Sequence, residues 1–164
     1  MKISIFGLGY VGCISVGCLA KNGHQVIGVD IDENKINLIN NGKATVIEKD
    51  IDEIISKYYN KKSISATLDY EQAVINSDVS IICVGTPTSS ETGHLNLEYV
   101  YKVAKQIGNA LQNKETFHTI VIRSTVLPGT NHKVGNIIST KSNKKLNIDF
   151  SVVSNPEFLR EGEA

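Results

Sequence analysis

An excess of charge of either sign is the first thing this sequence lacks. Its 164 residues carry seventeen basic and seventeen acidic side chains, so the formal net charge is zero. That excludes the basic footprint of a nucleic-acid binder, and an acidic tail as well. With 41% hydrophobic residues, the pairing of low hydrophobicity with high net charge that keeps chains disordered is also missing. Cysteine is scarce and odd in number: Cys13, Cys18 and Cys83 stand at spacings that fit no zinc or disulfide framework, and no metal site is expected. All three lie in apolar stretches, where a free thiol is expected to be buried, and a reducing, cytoplasmic setting follows. No apolar run is long enough to span a bilayer. The first twenty residues superficially resemble a signal peptide, but Gly7, Gly9, Gly12 and Gly17 interrupt them and another strand-like segment follows directly. Repeats, low-complexity tracts and linkers are absent, and the length suits one domain.

What is present is an alternation of short apolar runs with polar, helix-like segments. Strands are expected at Lys2–Phe6, Gln25–Asp30, Val79–Val84, Thr119–Arg123 and Asp149–Val153, with a short one near Ser63–Thr67. Helices are expected at Val11–Lys21, Glu33–Asn40, Ile51–Tyr59, Tyr70–Asn76, Leu97–Gln112 and Asn131–Ile138, with surface connections at Thr88–Gly93 and Ser142–Lys145. Nearly continuous apolar strands are what a parallel sheet covered on both faces requires. The fold class is therefore α/β: a doubly wound, mainly parallel sheet with helices on both faces.

Between the first strand and first helix stands Gly7-Leu8-Gly9-Tyr10-Val11-Gly12, a G-x-G-x-x-G turn. In such a turn the first glycine permits the tight bend, the second lets a pyrophosphate approach the backbone, and the third lets helix and strand pack closely. The helix N-terminus then offers free N–H groups and a partial positive charge to an anion. Asp30, eighteen residues after Gly12 and at the end of the second strand, is placed to accept from ribose hydroxyls. An acid there repels a 2′-phosphate, so NAD is favoured over NADP. A glycine-rich turn of an unrelated α/β nucleotide binder is the bland alternative. Lys35, on the next helix, is within reach of the adenosine side, although its position alone reads as an exposed helix residue.

Two later strand ends carry polar sequence where ligands bind in open α/β sheets. They are Gly85-Thr86-Pro87-Thr88 and Ser124-Thr125-Val126-Leu127-Pro128-Gly129-Thr130. Thr130 reads as the cap of the helix that follows, whereas Thr86 and Thr125 face the expected cofactor edge. After the last strand, Asn155-Pro156-Glu157-Phe158-Leu159-Arg160-Glu161 sets two carboxylates four residues apart, on one face if the segment is helical. Pro156 suits the first turn of such a helix, and a substrate or acid–base role is plausible for the carboxylates beside a solvated-face reading. The chain has fifteen lysines but only two arginines, Arg123 and Arg160, and both fall in these motifs.

Four motifs in order, Phe6–Gly12, Cys83–Pro87, Arg123–Thr130 and Asn155–Glu161, resemble those of the nucleotide-sugar 6-dehydrogenases, which comprise the UDP-glucose and GDP-mannose dehydrogenases. The resemblance covers essentially the whole chain, and its texture at Val26–Asp30 and Ile122–Thr130 is most similar to the GDP-mannose branch. It implies a Rossmann-like domain over residues 1–164 and NAD-dependent, two-step oxidation of a sugar C6 alcohol to a carboxylate, through an intermediate held on a cysteine and then hydrolysed. Carried over by motif, Gly7, Gly9, Tyr10, Val11, Gly12, Asp30, Lys35, Thr86 and Thr125 would bind or border NAD. Thr125 would also position catalytic water. Glu157, Phe158, Leu159 and Glu161 would border the nucleotide-sugar substrate, with Glu157 a candidate acid–base group and Glu161 a substrate or water contact. The resemblance also implies a homo-oligomeric full-length enzyme in the cytoplasm, without membrane or nucleic-acid partners. The family's nucleophilic cysteine motif and its central-helix lysine and asparagine are not in this sequence. The expectation is an N-terminal portion whose central and C-terminal domains lie elsewhere, inactive alone. A UDP-glucose enzyme and a stand-alone dinucleotide-binding module are the competing readings; a hydroxy-acid dehydrogenase of the same fold is disfavoured by the Asn155–Glu161 motif.

Overall fold

The computed structural model describes residues 1–89 and 93–159. In chain order the elements are β1 (Lys2–Phe6), α1 (Tyr10–Lys21), β2 (Gln25–Val29), α2 (Glu33–Asn40), α3 (Ile51–Asn60), β3 (Ile64–Thr67), α4 (Tyr70–Ile75), β4 (Val79–Ile82), α5 (Glu98–Leu111), β5 (His118–Ile122), α6 (Thr130–Ser142) and β6 (Phe150–Ser154). The six strands form one sheet in the order β3-β2-β1-β4-β5-β6, and every strand pairing is parallel.

Side-chain alternation along the strands divides the core into two layers. Ile3 and Ile5 of β1 pack with Ile36 and Ile39 of α2, Ile51 and Ile55 of α3, and Cys13 and Val16 of α1. Phe6 points the other way, into a layer built from Ala73 and Val74 of α4, Val103 and Ile107 of α5, and Val134 and Ile138 of α6. Helices α1 to α3 thus cover one face and α4 to α6 the other. Each fully buried Val, Ile or Phe among them contributes roughly 1.5–3 kcal/mol of transfer free energy.

The chain leaves β1 toward β2 on one side and returns to β4 on the other. The connections after β1 and β4 diverge and open a crevice at the carboxyl edge, where ligands bind in sheets of this kind. Register puts Phe6, Val29, Ile82 and Ile122 side by side along that edge.

Several expectations are corrected. Cys18 is exposed on α1 and not buried, because it sits on the strip of helix that neither α3 nor the sheet covers; Cys13 and Cys83 are buried. Thr130 is not a side-chain cap. Gly129, at φ +85°, occupies the cap position, and the Thr130 hydroxyl donates back to the Leu127 carbonyl at 2.6 Å. Helix α6 runs on to Ser142, whose buried hydroxyl donates to the Ile138 carbonyl at 2.7 Å, so the polar connection begins later than the composition suggested. Asp30 and Val84 lie just past the ends of their strands.

Candidate functional site

The glycine-rich turn is built by contacts that leave no room for side chains at two positions. Gly7 adopts φ +95° and donates its N–H to the Val29 carbonyl at 2.8 Å, so the turn is pinned to the end of β2. A Cβ on Gly12 would lie 1.8 Å from the Gly7 carbonyl oxygen, which is why α1 can sit directly on β1. At Gly9 the opposite holds: nothing lies within 4 Å of where a Cβ would be, so the backbone there is open to a ligand. Gly9 caps α1 without a side-chain hydrogen bond, and the first turn of α1 carries no acidic residue, unlike those of α2, α3, α4 and α5. The first-turn N–H groups have no intrahelical acceptors, and no local carboxylate neutralises their positive end.

Asp30 ties this turn to the end of β2. Its Oδ2 accepts the Leu8 N–H at 2.6 Å and its Oδ1 accepts the Asp32 N–H at 3.0 Å. Lys35 Nζ stands 3.6 Å from Oδ2, its side chain about one-third exposed, so the position that reads as a solvated helix residue is instead paired with the acid. Each carboxylate oxygen has two lone pairs, so Asp30 retains acceptor capacity toward a ribose.

A groove of about 470 Å³ opens over these residues. Gly7, Gly9, Asp30 and Lys35 line it, together with Val29, Ile31, Val84 and Gly85 from the neighbouring strand ends. Its far wall was not read from the sequence: Leu68 and Tyr70 enter around the start of α4, and Tyr99, Lys102, Val103 and Gln106 from α5. The α5 spacing of 99, 102, 103 and 106 is one helical face, a signal that was present but reads equally well as core. An apolar wall with a few polar groups, beside an acid and an open helix N-terminus, matches adenosine and pyrophosphate in size and chemistry.

The remaining residues expected at the site occupy the same sheet edge outside the groove's lining. Tyr10 begins α1 and donates its hydroxyl to Glu48 at 2.5 Å. Val11 is half-buried and its carbonyl accepts from Ser15 Oγ at 2.7 Å. Half-buried Thr86 follows Gly85, and exposed Thr125 follows β5. Ser124 Oγ donates to the Val84 carbonyl at 2.6 Å and joins those two loops.

Beyond β6 the chain turns back along this edge. Asn155 N–H donates to the Ile122 carbonyl at 2.9 Å, and Arg123 Nη1 donates to Asn155 Oδ1 at 2.6 Å. Arg123 Nε is buried without a partner among the described residues. Through Leu159 the segment is not helical, so the condition for its two carboxylates to share a helical face is not met there. Asn155 is held by strand and arginine, and the Glu157 carboxylate accepts the Leu159 N–H at 2.7 Å, a local bond that competes with a helical turn. Leu159 packs against the core layer that contains Leu8 and Cys83, whereas Phe158 is 91% exposed. Arg160 and Glu161 lie outside the described residues.

Burial pushes the Cys83 thiol up to about 12, partly offset by the Arg123 guanidinium and the Ser15 hydroxyl, with the Glu157 carboxylate opposing ionisation. At neutral pH it stays a thiol, and is no nucleophile. Among the described residues no three His, Cys, Asp or Glu side chains come together as a metal site, and no helix is long and apolar enough to cross a membrane.

The family described as "UDP-glucose/GDP-mannose dehydrogenase family, NAD binding domain" matches residues 1–164. The chain belongs to that family. It is 50% identical to the GDP-mannose 6-dehydrogenase of Pseudomonas syringae pv. syringae over all of this chain and 37% of that protein. It is 42% identical to the UDP-glucose 6-dehydrogenase of Rhizobium meliloti over all of this chain and 36% of that one. Among solved structures, a ternary complex of GDP-mannose dehydrogenase from Pseudomonas aeruginosa superposes with a TM-score of 0.96 at 48% identity, covering 99% of this chain and 37% of the other. The chain thus spans a little over a third of the length of the relatives it matches, and its cofactor is NAD.

Proposed function

We propose that this chain is the cofactor-binding portion of a nucleotide-sugar 6-dehydrogenase that oxidises the C6 alcohol of GDP-mannose to the carboxylate while reducing two NAD. The observation that carries the reading is the groove on one sheet edge that the open glycine turn shares with Asp30 and Lys35. Identity supports the sugar: 50% to a GDP-mannose enzyme against 42% to a UDP-glucose one.

In this reading Gly7, Gly9, Val11 and Gly12 leave backbone for the pyrophosphate, and Asp30 with Lys35 takes the adenosine ribose. Bound NAD supplies the hydride acceptor. Thr86 and Thr125 border its nicotinamide end, Thr125 holding the water that hydrolysis requires. Glu157 moves a proton at the reacting oxygen, and Glu161, Phe158 and Leu159 flank the sugar. The nucleophilic cysteine comes from the rest of the enzyme, because Cys13 and Cys83 are buried and exposed Cys18 sits more than two helical turns from Tyr10 along α1. The full enzyme is a cytoplasmic homo-oligomer in the same reading.

Calorimetric titration with NAD, paired with an absorbance assay for NADH, tests this. The isolated 164-residue chain is expected to bind NAD and to produce no NADH from GDP-mannose or UDP-glucose, while a polypeptide carrying the remaining domains turns over GDP-mannose in preference. Sustained NADH production by the isolated chain would overturn the division of labour; preference of the longer polypeptide for UDP-glucose would overturn the sugar.

A further inference from the structure

Residues 41–50, between α2 and α3, line none of the groove, yet they are fastened to the glycine turn. Thr45 Oγ1 donates to the Leu8 carbonyl at 2.7 Å. Thr45 is itself held in place. Its N–H approaches Cys13 Sγ at 3.4 Å, the Ala44 N–H donates to Asp52 Oδ1 at 2.8 Å, and Ala44 and Val46 pack on the core layer beneath. Leu8 is therefore fixed at both of its backbone polar groups, because Asp30 Oδ2 takes its N–H at 2.6 Å.

The two bonds act on different peptide planes. A trans peptide carries its C=O and N–H on opposite edges, and no peptide bond among the described residues is cis. In the Gly7–Leu8 peptide Asp30 takes the N–H, and the Gly7 carbonyl points the other way, into the space that a Cβ on Gly12 would need. In the Leu8–Gly9 peptide Thr45 takes the C=O, so the Gly9 N–H is aimed away from Thr45. Gly9 lines the groove and Thr45 does not, and the Gly9 N–H has no hydrogen-bond partner among the described residues. With glycine as its second residue, this peptide is freer to rotate than most. Rotated, it would present the Leu8 carbonyl oxygen to a phosphate in place of an N–H. We infer that Thr45 is a positioning residue for NAD: its hydroxyl holds the Leu8–Gly9 peptide so that the Gly9 N–H faces the pyrophosphate. The inference rests on the NAD-binding reading, and it makes the phosphates, not the adenosine, the part of the cofactor that senses Thr45.

Titration of the chain with NAD, ADP and adenosine, followed through its backbone amide resonances, tests it. NAD and ADP should move the Gly9 amide proton downfield, the signature of a new hydrogen bond, and adenosine should leave it nearly in place. Thr45→Val, which keeps the branched shape and removes the donor, is expected to weaken NAD and ADP about fivefold, the scale of one lost neutral hydrogen bond, with adenosine affinity unchanged. Thr45→Ser, which keeps the hydroxyl, should bind NAD within about twofold of the parent. A Gly9 amide that does not respond to bound NAD in the parent chain overturns the inference without any variant. So does unchanged or tighter NAD binding in Thr45→Val, a loss in Thr45→Ser as large as in Thr45→Val, or an equal loss for adenosine, which would mark a general structural role. Failure of the parent chain to bind NAD at all would instead overturn the reading on which it rests.

Discussion

At the scale of single residues, the site depends on side chains with more than one partner. Asp30 braces the glycine turn through the Leu8 N–H, starts the next helical segment through Asp32, and draws Lys35 in, so its deletion would disturb the turn along with the ribose contact proposed for it. Polar residues at the other end of the sheet serve stability. Ser77, Ser4 and Ser80 form a buried hydroxyl chain, at 3.1 and 2.7 Å, that ends on His118 Nε2 at 2.8 Å. Burial, then the neighbouring Lys114 charge, pushes His118 down to about 4, against the weaker pull of Ser77 and Asp78. In the unfolded chain the imidazole takes up a proton near its ordinary value of about 6.5, so between those values the unfolded state binds more protons. The neutral, buried histidine therefore contributes its full stability above about 6.5, and that contribution falls away as pH drops toward 4. Denaturant unfolding should show a loss of up to about 3 kcal/mol across that window. His118→Gln should flatten the pH dependence over it; an unchanged slope in the variant would contradict the assignment.

Among the elements, α4 shows how a six-residue helix, too short to be stable alone, is held so that Tyr70 and the preceding Leu68 reach the groove. Asp69 caps its start by accepting the Gln72 N–H at 3.0 Å. Lys114, only 7% exposed, closes its end by donating to the carbonyls of Val74, Ile75 and Ser77 at 3.2, 2.8 and 2.7 Å. Lys114→Met should cost about 2 kcal/mol by orphaning those carbonyls, roughly 4–8 °C in Tm for a domain of this size; an unaltered melting temperature would show that the cap is dispensable. The strand–helix alternation was legible because apolar period and glycine placement are local signals. Lys114 was not, since 37 to 40 residues separate it from its acceptors and a lysine reads as surface. The same holds for the α5 wall of the groove and for the Tyr10–Glu48 bond, which spans thirty-eight residues. The Asn155–Glu161 motif is recognisable in the sequence but its shape is not: through Leu159 the chain is held by the Arg123–Asn155 bond, which only the tertiary arrangement supplies, and by the Glu157–Leu159 bond.

As a whole, the molecule is a neutral domain that offers a candidate anion site without a basic patch, through backbone N–H groups at the N-terminus of α1, while the acid at the end of β2 braces the turn. It spans a little over a third of the relatives it matches, and it brings to one sheet edge the open glycine turn, Asp30 and Lys35, the groups proposed to hold the dinucleotide. The most direct test of this account is a parallel calorimetric titration of the chain with NAD and NADP. Because a 2′-phosphate would meet the Asp30 carboxylate, NAD should bind saturably and NADP at least about tenfold more weakly. Equal or tighter binding of NADP, or no binding of NAD, would contradict the site as described.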